Sequence, residues 1–369
     1  MAAAAGFLTP APIRAAAGDL SASLLEILKG SKTPAIAALA WKDGTVVAEG
    51  AAGVRAAGGA VPVTPGDLWH IGSNAKAMTA VLIARLIEKG RLRFDMTLGE
   101  GLPMLAAEMN QGYAGARLLQ LLSHTAGVPA NLDAASLESF RISMVPLDEQ
   151  RIEFARLVLG AAPLSAPGEK QLYSNSAYVL AAAMAEQATG LPFEELIQRE
   201  VFDPLAITSA GFGAPGREGA IDQPLGNANL NGEPVPQAPT LAADNARVLA
   251  PAGTLHLSLR DWAKFAAVSL KGARGDTGYL SAQSWKTIFT PVLSEPQPYA
   301  LGWIIDMQTV PGSRLIAHEG SNTLWHAMIG LLPEAKAFVL AAVNFGEGRP
   351  QALAAFNALM GDVTGGTQR

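Results

Sequence analysis

The sequence predicts an α+β fold: an antiparallel β-sheet flanked by N- and C-terminal helices, with a mostly helical lobe inserted between the sheet-forming ends. Three observations lead there. Short apolar runs with strand character occur near the start, between residues 35 and 50, and return between 301 and 343. From about 91 to 290 the periodicity is helical, broken by loops rich in Gly, Pro and Asn. Hydrophobic residues make up 49% of the 369 positions and charged residues 16%, enough apolar material for a large core.

The elements follow in order. Residues 21–28 read as an amphipathic helix stopped at Gly30. Residues 35–41 and 45–50 are two apolar runs split by Lys42-Asp43-Gly44, and Asp-Gly in that place signals a hairpin. A short run at 68–72 leads into a helix from about 73 to 88, whose Met78, Val81, Leu82 and Leu86 keep helical spacing before Gly90 ends it. Helices are expected at 117–122, 147–159, 176–189, 193–199 and 260–270, and the turn-rich stretch 211–239 is expected to be irregular. Strands return at 301–306, 315–318, 327–332 and 338–343, and a last helix covers about 350–360. The chain is therefore expected to form one catalytic domain over 18–369. Its α/β lobe takes 18–90 and 291–369, its helical lobe 91–290, and the site lies in the cleft between them.

Ser73-Asn74-Ala75-Lys76 sits at the start of the helix at 73–88. A serine hydroxyl needs a base within hydrogen-bond reach to become a nucleophile. Residues three apart on a helix share a face, so Lys76 can reach Ser73. S-x-x-K is also the nucleophile motif of β-lactamases and penicillin-binding proteins, although alone it is a common coincidence. Two further segments can join it. In Tyr173-Ser174-Asn175 a tyrosine beside a lysine ammonium gains a lowered pKa and can carry a proton, while Asn175 can donate to a substrate carbonyl and accept from the lysine. The competing reading is a surface loop with Asn175 or Ser176 as a helix N-cap. In His318-Glu319-Gly320-Ser321-Asn322, Gly320 lets a ligand approach the backbone. Ser321 N–H then joins Ser73 N–H at a developing oxyanion, with His318 a polar or cationic group beside the substrate. Here the competing reading is a strand-end histidine with a hydrogen-bonding task.

Composition excludes several classes. Net charge is −5 with no basic patch, so nucleic acid is not an expected partner. There is no cysteine, which removes disulfides, zinc-thiolate sites and cysteine nucleophiles. The five histidines lack metal-ligand spacing with a carboxylate, so neither metal nor other cofactor is expected. His124 reads as part of a turn, His70 and His256 as core residues, and His326 beside Trp325 as either core or site lining. No apolar run reaches membrane-spanning length. Residues 1–17 are alanine-rich with Pro10, Pro12 and Arg14, and are expected to form a flexible extension. They lack the pattern of a signal peptide, which leaves open a protein that stays inside and one exported after losing a leader. The oligomeric state is not legible.

Together the segments resemble the serine β-lactamase-like hydrolases, a family that includes class C β-lactamases, D,D-peptidases and family VIII esterases. In family order they are His70-Ile71-Gly72-Ser73-Asn74-Ala75-Lys76, Leu121-Leu122-Ser123-His124-Thr125-Ala126-Gly127, Tyr173-Ser174-Asn175 and Phe202-Asp203-Pro204-Leu205. Pro251-Ala252-Gly253-Thr254 with Arg260-Asp261, then Tyr299-Ala300-Leu301-Gly302-Trp303 and His318-Glu319-Gly320 complete the series. The resemblance spans roughly residues 20–345.

It implies acylation of Ser73, with Lys76 and Tyr173 sharing the proton traffic and Asn175 orienting substrate and lysine. Ser73 and Ser321 N–H form the oxyanion hole, and water releases the acyl group. Class C β-lactamases carry Lys-Thr-Gly where this chain has His318-Glu319-Gly320. A histidine is only partly charged near neutrality and Glu319 adds negative charge, so an ester or peptide-like small molecule becomes a better substrate than an anionic β-lactam. The alternative is a catalytically silent binding or scaffold domain of the same fold.

Overall fold

The computed structural model describes residues 18–365 except 308 and 311; the extension expected at 1–17 lies outside them. Twelve strands are present among the described residues. They are β1 (Gly18–Asp19), β2 (Ala35–Lys42), β3 (Thr45–Gly53), β4 (Leu68–His70), β5 (Gly211–Phe212), β6 (Asn227–Leu230), β7 (Glu233–Pro236), β8 (Leu255–Ser258), β9 (Ile304–Asp306), β10 (Leu315–Ser321), β11 (His326–Leu332) and β12 (Ala337–Val343). Seven form the main sheet in the order β1-β3-β2-β12-β11-β10-β9. The β2–β12 pair, Ile36 opposite Val343 through Lys42 opposite Ala337, joins the early strands to the late ones. All pairs in this sheet are antiparallel except β1–β3, so the sheet is mixed rather than purely antiparallel.

Alternation along β2 shows how the sheet is covered. Successive side chains point to opposite faces. Ile36, Ala38 and Ala40 pack with Leu24, Leu28, Phe356 and Leu359 from the Ser21–Leu28 and Arg349–Thr364 helices. Ala35, Ala37 and Leu39 belong to the larger core on the other face. That core is built around the helices Ala75–Glu88 and Asn175–Thr189, which are buried almost all round, as expected of apolar helices enclosed by others.

Both tight hairpins use a residue-glycine pair with positive φ at both central positions. Asp43 and Gly44 have φ of 48° and 101°, and Asn231 and Gly232 have 54° and 84°. Such a turn matches the twist of the flanking strands. The second pair makes the β6–β7 hairpin inside the stretch expected to be irregular. Its Asn-Gly signal was present, but polar residues and prolines on both sides masked it. The middle segment also holds β5 and β8, and β8 pairs with both β4 and β5 in a three-stranded sheet. The helix expected from 73 begins as a 3-10 turn, Gly72–Asn74. The helix expected at 193–199 covers Phe193–Ile197 and then widens into a π turn, Gln198–Phe202. Helices at Ala134–Ile142 and Ala282–Ile288 were not foreseen. No described helix is long and apolar enough to cross a membrane.

One buried charge cluster ties the helical segments together. Arg151, fully buried, pairs with Glu186 and Glu194 from two other helices. Removing one member strands the others in a poor solvent for charge. Arg151→Met should therefore lower the unfolding free energy by about 3–5 kcal/mol in urea titration. A change too small to resolve would show that these carboxylates reach water or other donors.

Candidate active site

The Gly72–Asn74 turn leaves Ser73 half-buried at the mouth of the Ala75–Glu88 helix, while Lys76 behind it is fully buried. Lys76 Nζ lies 3.0 Å from Ser73 Oγ, 2.7 Å from Asn175 Oδ1 and 2.8 Å from the Ala252 carbonyl. It also sits 4.8 Å from the Tyr173 ring centroid. Burial drives the lysine pKa well below its ordinary value, because the ammonium loses water that three acceptors replace only in part. An amine so placed spends more of its time neutral and able to accept the serine proton.

The loop at 173–175 is arranged so that each residue has a separate task. Ser174 is the N-cap of the Asn175–Thr189 helix, accepting from Ala177 N at 2.9 Å, so neither Asn175 nor Ser176 fills that place. This frees the Asn175 side chain, whose amide donates to Asn131 Oδ1 at 2.9 Å while its carbonyl takes the lysine. The Tyr173 phenol interacts with the Ser73 hydroxyl. The expected lowering of the tyrosine pKa does not occur. Desolvation pushes it up to about 12 and outweighs the Ser73 hydrogen bond, although part of the residue remains exposed.

His124 does more than complete a turn. Its backbone φ is 61°, its Nδ1 accepts from Ser174 N at 3.2 Å, and its ring packs 4.4 Å from Tyr173 and 4.6 Å from Tyr299, centroid to centroid. It thereby anchors the tyrosine loop, and burial with Lys76 and His318 nearby keeps it neutral.

His318 differs most from expectation. It is buried, its Nδ1–H donates to the Glu319 carbonyl at 2.7 Å, and its Nε2 accepts from Tyr299 OH at 3.1 Å. Burial, and then Lys76, pulls its pKa down to about 3, so it is not a cationic group at neutral pH. Glu319 points to the opposite face of β10, paired with Arg349 at 2.8 Å and His326 at 3.2 Å. The His326 hydrogen bond and Arg349 hold its carboxyl down to about 2 against burial. Its charge is thus met by Arg349, and His326 is turned toward Glu319.

Gly320 also has a different reason from the one read in the sequence. A Cβ there would lie 2.3 Å from Ile71 O and 2.4 Å from Ser73 N. The glycine admits the protein's own turn rather than a ligand. Gly72, at φ 51°, is equally constrained: a Cβ would fall 2.5 Å from Ser321 N. The end of β10 and the Ser73 turn therefore meet backbone to backbone, which brings Ser321 and Ser73 amides into one neighbourhood. Ser321 Oγ itself is turned away, donating to the Trp325 carbonyl at 2.6 Å.

The structure thus brings Ser73, Lys76, Tyr173 and Asn175 into contact, sets Gly320 and Ser321 against the turn, and links His318 through Tyr299. Asn131, Tyr299 and the Ala252 carbonyl complete the surroundings and were not singled out from sequence. Tyr299 and Ala252 had a signal, as members of Tyr299-Ala300-Leu301-Gly302-Trp303 and Pro251-Ala252-Gly253-Thr254, and Asn131 had none.

Known proteins share this architecture. A solved penicillin-binding protein homologue from Pyrococcus abyssi, described as octameric, superposes with a TM-score of 0.77 at 25% identity, covering 93% of this chain and 76% of that one. A D-stereospecific amidohydrolase from Streptomyces sp. shares the fold with a TM-score of 0.71 at 21% identity, covering 91% and 98%. The Beta-lactamase family model matches residues 22–360, and the chain belongs to that family. Among curated relatives, a Beta-lactamase of Escherichia coli (strain K12) is 30% identical over 162 residues, 42% of this chain and 38% of that protein. Protein flp of Staphylococcus aureus (strain N315) is 24% identical over 325 residues, 86% of this chain and 61% of that protein. The chain spans less than two thirds of these relatives' own length.

The His318 geometry has a direct consequence. Its ring should show no titration between pH 5 and 8 by NMR, because its pKa lies at about 3. The unfolded ring takes up protons near the ordinary 6.5, so this residue withdraws stability as pH falls from there toward about 3. A His318 midpoint close to 6.5 would mean that the ring is not held away from water.

Proposed function

We propose that the protein is a serine hydrolase that acts through an acyl-enzyme on an ester, amide or β-lactam carbonyl. The observation that carries this reading is the buried Lys76 amine, 3.0 Å from Ser73 Oγ and depressed in pKa. As Ser73 Oγ attacks the carbonyl carbon, its proton passes to neutral Lys76 Nζ. The carbonyl oxygen becomes an anion facing the Ser73 and Ser321 amides. Tyr173, neutral because its pKa is raised, is suited to hand a proton to the leaving group and to be restored from the lysine. Asn175 keeps the amine aimed through its 2.7 Å hydrogen bond. Water then attacks the acyl carbon, with the proton transfers reversed, and frees Ser73.

The third motif bears on substrate. A lysine would present a fixed charge to a substrate carboxylate. His318 is neutral and committed to Tyr299 and Glu319, which favours esters or peptide-like amides over anionic β-lactams.

Mass spectrometry after a fluorophosphonate or fluorescent penicillin should show one adduct, absent in Ser73→Ala. Equal behaviour of the two proteins toward all such probes would leave a silent binding domain as the better reading. Side-by-side assays with short-chain nitrophenyl esters, a chromogenic cephalosporin and a D-Ala-D-Ala peptide should give clear ester hydrolysis and weak cephalosporin turnover; a cephalosporin rate far above the ester rate would reverse the substrate assignment.

Activity should fall at acid pH as the lysine protonates. Lys76→Arg keeps the charge but loses the titratable base, and should cost on the order of 10²-fold or more in kcat. Near-normal turnover there would move the base role to Tyr173.

A further inference from the structure

The two amides assigned to the oxyanion come from distant parts of the chain, and this inference rests on that assignment. Between them runs a buried polar network that the chemistry above does not use. Gly72 N–H donates to His70 Nδ1 at 3.1 Å. With Nδ1 as acceptor, the ring proton resides on Nε2. Nε2 lies 2.9 Å from Asp244 Oδ1, a close approach too bent to count as a straight hydrogen bond. The same oxygen accepts from Asn322 Nδ2 at 2.9 Å and from Asn245 N at 2.7 Å. Asn322 Oδ1 in turn accepts from Leu324 N at 3.1 Å and Trp325 N at 3.2 Å, and the Trp325 ring stacks 5.5 Å from His70.

His70, Asp244 and Asn322 are 1%, 7% and 7% exposed, so water does little to hold them. One end of the network is the residue before Ser73 and the other is the residue after Ser321. A carboxylate is a costly group to bury for packing alone, and a hydrogen-bonded network of this kind fixes geometry. We propose that Asp244 and His70 are positioning residues that set the spacing of the Ser73 and Ser321 amides, by tying Gly72 to Asn322 across the site. Neither residue touches the reacting carbonyl. Both act through the backbone segments they hold.

Asp244→Ala removes the central acceptor, whereas Asp244→Asn keeps an oxygen for Asn322 and Asn245. With a nitrophenyl ester, the alanine variant should lose kcat on the order of 10²-fold with KM little changed, the scale of one disabled oxyanion donor. Affinity for an aryl boronic acid, whose boron bonds Ser73 Oγ as a tetrahedral anion, should fall in parallel. The asparagine variant should recover most of both. Amide hydrogen exchange should rise together in peptides covering 71–75 and 320–325. If Asp244→Ala does not fold, His70→Asn keeps an acceptor for Gly72 but severs the link to Asp244, and should show the same joint changes at smaller size.

A variant that loses thermal stability yet keeps kcat and boronate affinity would overturn the proposal, as would exchange rising in one segment only. Absence of any Ser73 adduct in the wild type would sink the catalytic assignment instead. The exchange data would still decide whether the network couples the two segments.

Discussion

Everything in the site depends on withholding water from one amine. Lys76 stands on a helix whose neighbours Ala75, Ala77 and Met78 are buried, so its amine enters the core wherever the helix does. Serine, asparagine and a backbone carbonyl surround it, and none carries a charge that would stabilise the ammonium. A carboxylate at any of these places would pair with the lysine and restore its proton. The neutrality of the surroundings is as necessary as the lysine itself. The same loss of water raises the Tyr173 pKa and, with Lys76 nearby, lowers those of His318 and His124.

The division of labour along the tyrosine loop follows from cap chemistry. A helix start demands an acceptor for its free amides. Ser174 meets that demand, and the residue after it is released for the site. On β10 the period of two makes the separation: His318 and Gly320 face the turn and the tyrosines, and Glu319 faces Arg349. Adjacent letters in the sequence thus belong to different environments.

That separation explains what could and could not be read beforehand. The main sheet, its covering helices and the Ser73–Lys76 pair were legible, because they rest on local periodicity and a three-residue spacing. The state of each titratable group was not. Whether Tyr173 gains or loses acidity depends on how much water the fold removes from its phenol. The role of Gly320 depends on a turn some 250 residues earlier in the chain. His70 looked like a core histidine in an apolar run, and only the fold shows that it holds Gly72, the residue before Ser73. The Asn231-Gly232 hairpin was a different kind of miss, a sufficient local signal outweighed by its surroundings.

The placement of β12 beside β2 has a consequence for biogenesis. Ser73 and Lys76 are synthesised well over 200 residues before the strands that brace their turn, β10 to β12. On the ribosome the early strands must wait until some 300 further residues have been made, with β2 offering an open alanine-rich edge in the meantime. Such long-range closure slows folding and lengthens the period in which an unpaired edge can meet other chains. An emerging chain therefore carries Ser73 and Lys76 long before it has all the walls that keep water from the amine.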